Sequence, residues 1–275
     1  MEEIKCEIHR SCQPGLARIE FWHRLVAPRK FFYKLITFTI VVGIWQLASM
    51  HYKSNLLLPS PLKTGEALFS AVQDLYTLQN LLLTMKRLVI GLGIALGLGL
   101  TVGFTMGSSG AFLKLMDPII STIRQVPIMA WVPLTIIWFG LGDGPTLFLI
   151  AMVGVFPIVL NTIAGVQSIP KNYFHAARSL GATPWGIFSR VTLPASLPGI
   201  MTGLRIALGA GWMSVICAEF IATSAGFGFS MVQAQTMMET PLLIALMIIS
   251  AGVGYSTDIF IRNMEKKITK WRFVS

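Results

Sequence analysis

Apolar runs about twenty residues long recur along the chain, separated by short stretches rich in proline, glycine and charge. That is the length an α-helix needs to cross the hydrocarbon core of a bilayer. Six runs qualify: Phe31 to Met50, Leu88 to Met106, Met116 to Gly140, Thr146 to Gly165, Pro198 to Thr223 and Leu242 to Ile261. The pattern predicts an all-α polytopic membrane protein with six transmembrane helices. Between the first two runs, Leu56 to Gly65 reads as a proline-broken loop and Glu66 to Leu75 as a mildly amphipathic helical stretch outside the membrane. A Gly- and Met-rich loop is expected between the last two runs, ending at Thr240.

Two runs carry internal punctuation. In the second, Gly99, Gly103 and Gly107 are spaced four apart, with Gly93 and Gly97 on a neighbouring ridge. Small residues at that spacing let helix backbones approach closely in lipid, and tight packing within the chain is the expected use rather than a dimer face. In the third, Pro118, Pro127 and Pro133 would each break or kink a helix. A broken helix at membrane depth is tolerated where neighbours or a cavity re-satisfy the freed carbonyls, which makes this run, with Trp131, a candidate lining of a pathway. Arg124 within it either faces protein or water, or snorkels from a shallow position.

The segment between the fourth and fifth runs, residues 170–194, has a different logic. Pro170 to Leu180 fits a short helix ended by Gly181 in the left-handed conformation. A second helix follows, with Thr183 as N-cap and Pro184 at the first helical position. Ala176, Ala177 and Gly181 leave one side of the bend almost bare, so another protein can approach its backbone. Pro194 and Pro198 predict a stiff, angular junction into the fifth run.

Composition agrees with a membrane protein. Of the 275 residues 54% are hydrophobic and 12% charged, and the mean hydropathy is +0.68, against about 45–50% apolar and about 25% charged in soluble domains. The formal net charge of +10 does not point to nucleic acid, because the basic residues gather at the chain ends and in the bend, where anionic lipid headgroups account for them. With the N-terminus inside, sixteen of the 22 Lys and Arg fall in cytoplasmic segments and only Lys53 and Lys63 in outer loops; Lys86, Arg87, Arg124 and Arg205 lie in or beside helices. The bias predicts an N-in/C-in topology, with residues 1–30 as a cytoplasmic tail, 31–262 as the membrane domain and 263–275 as a basic cytoplasmic tail. The bend at 170–194 then faces the cytoplasm. No cleavage pattern follows a short apolar run, so the first span is expected to remain as an anchor.

Cys6, His9, Cys12 and His23 could offer nitrogen and sulfur ligands, but their spacing is unlike that of zinc modules, and no metal is expected. Three cysteines at unrelated positions argue against a disulfide framework. No Walker A sequence or Mg²⁺-holding acidic cluster is present, so the chain is not an ATPase. A secondary transporter is expected to show inverted repeats and several intramembrane carboxylates; Glu219 reads as the only acidic residue well inside a span. Arg205 and Glu219, fourteen residues apart or about 21 Å along a helix, cannot pair with each other. Arg205 reads either as path lining or as an interfacial snorkeler, and Glu219 as path lining or as a structural partner, a gate or interhelix lock.

The sequence AARSLGATPWGIFSRVTLPASLPGIMTGLR, from Ala176, resembles the EAA loop of permease subunits of binding-protein-dependent ABC importers. LLLPSP after the first span, Asp117 to Asp143, and AEFIATSAGFGF from Ala218 to Phe229 resemble the branch that takes up taurine, aliphatic sulfonates, nitrate or bicarbonate. The resemblance implies a multi-pass protein of the cell inner membrane that works as a homodimer with two ATP-binding subunits, which bind the ATP and Mg²⁺, and with an extracytoplasmic solute-binding protein; the chain itself needs no cofactor. It implies that His175, Ala176, Ala177, Arg178, Gly181, Ala182 and Pro184 form the ATPase-coupling loop, with His175 standing where the family has Glu. Path candidates are Glu219, Trp131, Arg124 and Arg205. The solute is expected to be a small anion, with a heteroaromatic vitamin precursor as the alternative.

Overall fold

In the computed structural model residues 15–52 and 54–269 are described, with side chains from residue 32 onward apart from Lys34. Cys6, His9 and Cys12 lie outside the described residues, as does the side chain of His23. The described residues form helices α1 (Gly15–Tyr52), α2 (Pro61–Gln73), α3 (Leu75–Ser108), α4 (Gly110–Ile123), α5 (Ile128–Phe139), α6 (Asp143–Gln167), α7 (Lys171–Ser179), α8 (Pro184–Ile187), α9 (Leu193–Ala222), α10 (Phe227–Thr236) and α11 (Thr240–Ile268). A π-helical turn, Phe188–Thr192, joins α8 to α9. Five helical stretches are long and apolar enough to cross a membrane, and α4 with α5 forms a sixth candidate bent by 93°.

The chain divides into two compact units, residues 1–65 and 66–275. In the first, the LLLPSP segment folds back onto α1: the Trp45 indole N–H donates to the Pro59 carbonyl at 3.1 Å, and the Ser49 hydroxyl to the Leu58 carbonyl at 3.1 Å.

The second unit is built around α6, which lies between α3 and α9. A Cβ added at Gly91, Gly99, Gly103 or Gly107 of α3 would collide with Ile150, Ile158, Thr162 or Val166 of α6, at 2.6 to 2.9 Å. Both series ascend together, so α3 and α6 run parallel in one fixed register. On the other side the order is reversed: Gly199 abuts Asn161, Gly203 abuts Pro157 and Ile158, and Gly211 approaches Ile150. α9 is therefore antiparallel to α6. Without Cβ atoms at these positions the backbones come close enough for dispersion to hold the helices, the available attraction where lipid is as apolar as the side chains. Leu88, Leu92, Ala95, Ile150, Ile158, Ala207 and Val215 fill the space between them. The expected intrachain packing holds for Gly99, Gly103 and Gly107, whereas Gly93 and Gly97 face open space.

Several boundaries differ from the sequence reading. α2 begins at Pro61, inside the expected loop. The second span starts at Leu75, because Asp74 caps it by accepting from the Thr77 hydroxyl and amide and from the Tyr76 amide, which hold its carboxyl below the usual carboxylate range. Lys86 and Arg87 thus lie inside α3. Of the three prolines in the third run, Pro118 and Pro133 sit within helices, and the break falls at Arg124–Pro127. The Gly- and Met-rich loop contains α10, and α11 continues through the basic segment to Ile268. The junction into α9 is continuously helical from Pro184 to Ala222, with the π turn placed just before Pro194, which has no amide to donate.

The glycine ladder yields a contrast. Gly99→Leu forces overpacking of a kind that costs about 1–3 kcal/mol, whereas Gly97→Leu meets nothing within 4 Å. Thermal unfolding in detergent is expected to show a lowered midpoint for Gly99→Leu and an unchanged one for Gly97→Leu.

Candidate functional site

The short helices after α6 form a bend held by local hydrogen bonds. The Ala182 amide donates to the Ala177 carbonyl at 3.0 Å and the Gly181 amide to the Arg178 carbonyl at 2.9 Å, the paired pattern of a Schellman motif. Gly181 has φ +75°, as that motif requires. Thr183 caps α8 by accepting from the Gly186 amide at 3.2 Å, with Pro184 at its first position. His175, Ala176, Arg178, Gly181 and Pro184 are exposed, and Ala177 and Ala182 half-buried. Beside this bare stretch project Leu180 and Trp185, 87% and 74% exposed, an unusual presentation of large apolar groups next to accessible backbone.

The inner face of the bend is anchored. Phe188 packs edge-to-face on Phe104 of α3, with ring centroids 5.1 Å apart, and stacks with Trp185 at 5.5 Å. A cavity of about 680 Å³ lies between the bend and the ends of α3 and α6, lined in part by Gly107, Val166, Lys171, His175, Arg178 and Phe188. Lys171, His175 and Arg178 share one face of α7, so the residue at the head of the motif stands among cations. The bend continues into α9 through the π turn and touches α3 through Phe188, so displacing it moves both helices.

At the far end of α9 stands a buried ionic cluster. Glu219 is 0% exposed and Arg87 5%. The guanidinium donates to Glu219 Oε1 at 2.6 Å and the Ala225 carbonyl at 2.7 Å through Nη1, and to Asp143 Oδ1 at 2.7 Å through Nε. Arg87 Nη2 lies 2.6 Å from the same Asp143 oxygen. The Glu219 carboxylate also accepts from the Thr84 hydroxyl and the Gly228 amide, each at 2.8 Å. Thr84 in turn accepts from the Phe227 amide, and Asn80 Oδ1 from the Gly226 amide, each at 2.8 Å. Asp143, in the first turn of α6, complements the positive helix end. The cluster thus ties α3, α6, α9 and α10 together, and every oxygen of Glu219 has a partner, the condition under which a buried charge is tolerated.

The glycines of AEFIATSAGFGF are explained by this cluster. Gly226 has φ +125°, and a Cβ there would run into the Glu219 carboxylate and the Arg87 guanidinium; one at Gly228 would lie 2.6 Å from the Ile216 carbonyl.

The path candidates do not converge. Trp131, on α5, packs against Val132, Leu149 and Ala218, and its buried indole N–H has no partner among the described residues. Arg124 is exposed at the C-terminal cap of α4, in the bend before Pro127. Arg205 donates through Nε to Asp258 Oδ1 of α11 at 2.8 Å, so a carboxylate besides Glu219 lies within a helix long and apolar enough to span. Arg87 was missed; the available signal was a cation within an apolar helix, coupled with a buried Glu that needed a partner. Among the described residues no group of His, Cys, Asp and Glu could hold a metal ion.

Single removals from the cluster leave a buried charge, whereas removing both does not. Arg87→Met and Glu219→Met are each expected to cost about 3–5 kcal/mol in thermal or denaturant unfolding. The double variant is expected to cost less than the two losses together.

Comparison with known proteins gives a consistent result. Residues 93–270 match the family model described as binding-protein-dependent transport system inner membrane component. The chain is 34% identical over 232 residues to the taurine transport system permease protein TauC of Escherichia coli, covering 82% of this chain and 84% of that one. It is 36% identical over 234 residues to the putative aliphatic sulfonates transport permease protein SsuC of the same organism, covering 84% and 88%. Among solved structures, a chain of a bacterial ABC transporter involved in the import of the acidic polysaccharide alginate superposes with a TM-score of 0.61 at 15% identity, covering 92% of this chain and 98% of that one.

Proposed function

The chain belongs to the family of inner membrane components of binding-protein-dependent transport systems, and on that footing we propose that it forms the translocation path for a small anionic solute of the sulfonate, taurine or nitrate kind. It is a multi-pass ABC importer permease, and ATP hydrolysis falls to a separate subunit. In this reading two copies of the chain pair, two ATP-binding subunits dock on the cytoplasmic side, and an extracytoplasmic binding protein delivers the solute. The anionic class is supported by relatives named for taurine and aliphatic sulfonates. The N-in/C-in orientation is supported by the charge bias; the helix directions, α3 parallel to α6 and α9 antiparallel to both, are those that six alternating crossings require.

The observation that carries the coupling role is the exposed bend itself. Its backbone is fixed by the Schellman bonds and the Thr183 cap, and it offers Leu180 and Trp185 beside bare alanine and glycine. The closing motion of an ATPase seated there is passed into α9 without a break in the helix, and into α3 through Phe188 on Phe104. Rigid-body transmission of this kind needs no flexible hinge at the docking site.

Gly181→Trp places a large ring into open space on the docking face and strains the left-handed residue. With the chain inserted at normal levels, ATP-driven uptake and solute-stimulated ATPase activity in proteoliposomes are expected to fall at least tenfold. Unimpaired activity contradicts the coupling role.

A further inference from the structure

We propose that the cleft between α9 and α11 is a transit site for an organic anion with an apolar body, and that the free end of the Arg205 guanidinium receives its acidic head; the assignment rests on the importer reading above.

The depth of Arg205 is the first observation. Its neighbours Gly203 and Ala207 lie against Pro157, Ile158 and Gly154, near the middle of α6, whose 25 residues cross the unit. Arg205 therefore lies level with the middle of α6, and its partner Asp258 one turn before the end of the sixth apolar run. Its side chain is nevertheless 42% exposed, and that of Asp258 37%. A half-open ion pair between two helices of spanning length is costly against hydrocarbon, so the face it occupies meets water or protein. Only Nε of the guanidinium is engaged, and both terminal nitrogens lack a partner among the described residues. Four N–H donors in a fixed fork are left to match the oxygens of a carboxylate or sulfonate.

The second observation is what lies outward of the pair on the same faces. A cavity of about 630 Å³ opens there, lined by Trp212, Ile216 and Phe220 of α9, Met231 of α10, and Met247 and Tyr255 of α11, among others. Its volume falls in the range of small-molecule sites. Arg205, Trp212, Ile216 and Phe220 recur at helical spacing on one side of α9, and Asp258 follows Tyr255 by one turn. The aromatic lining reaches to Tyr255, one turn from Asp258, and to Trp212, two turns from Arg205 on the same side of α9. A bare inorganic anion would leave that lining unused, whereas an organosulfonate or organic carboxylate uses both parts. Asp258 serves as the counter-ion that holds Arg205 when no solute is bound, and it competes with the incoming head.

The test uses the permease assembled with its ATPase subunits in phosphatidylcholine nanodiscs, with butanesulfonate as the probe and equilibrium binding as the readout. Saturable binding is expected, weakened at least tenfold by Arg205→Gln. Asp258→Asn is expected to tighten it severalfold, a gain that misfolding cannot imitate. Phe220→Ala is expected to weaken butanesulfonate more than methanesulfonate. The absence of saturable binding, or equal affinity in Arg205→Gln, overturns the assignment. Displacement of the probe by phosphatidylglycerol in the disc also overturns it, making a lipid headgroup the occupant. The two readings fail separately. ATP-driven uptake undiminished by Arg205→Gln removes this site and leaves the importer, whereas uptake lost in Gly181→Trp with unchanged butanesulfonate binding leaves the site.

Discussion

The close approach of α6 to two glycine-bearing neighbours sets the geometry of everything else in the larger unit. Helices in lipid gain little from burying apolar side chains, so their register depends on where backbones can meet. Here the parallel ladder of Gly91, Gly99, Gly103 and Gly107 against Ile150, Ile158, Thr162 and Val166 fixes α3 on one side, and Gly199, Gly203 and Gly211 fix α9 on the other. Continuing both ladders two turns outward brings Thr84 and Arg87 level with Asp143, and Ala218 and Glu219 level with the same residue. The ionic cluster is a consequence of register. A shift of one helical turn along either ladder would separate its charges by about 5 Å, leaving Glu219 buried without a partner.

The three-helix slab has different devices at its two ends. On one, the bend of α7 and α8 presents accessible backbone and two large apolar side chains, anchored by Phe188 on Phe104. On the other, Arg87 and Glu219 close α3, α6, α9 and α10 into one body. Between them α9 is helical throughout, a continuous connection from the bend to the cluster. The Arg205–Asp258 pair stands apart, joining α9 to α11 along a half-open face. The charged groups are thereby divided: Arg87 and Glu219 are bonded on several sides, whereas only Nε of the Arg205 guanidinium is engaged.

Much of this was legible in the sequence because it depends on local chemistry. Gly181, Thr183 and Pro184 specify a left-handed stop, a cap and a helix start within four residues, and the structure has each in its expected place. The apolar runs located the five helices long and apolar enough to span and the bent pair α4–α5, since length and hydropathy are sufficient for that. Boundaries were less legible: Asp74 moved the start of α3 outward, and a capping carboxylate is a weaker signal than the loss of hydrophobicity near Lys86. α10 was missed because its glycines and polar residues resemble a loop, and it is held by tertiary hydrogen bonds from Glu219, Thr84 and Asn80. The partners of Glu219 and Arg205 lie on other helices, at sequence separations of 132 and 53 residues, which no local pattern reveals.

The bend, α9 and the ends of α3 and α6 that carry Arg87 and Asp143 are expected to move as one body. Spin labels at Arg190 in the π turn and at Leu141 beside the start of α6 are both exposed. Their distance within one chain can be measured by electron–electron resonance in the assembled transporter, with labelled chains diluted among unlabelled ones. One-body movement requires the same distance distribution with and without ATP bound to the partner subunits, while distances between copies change. An ATP-dependent shift of several ångströms within the single chain would contradict it.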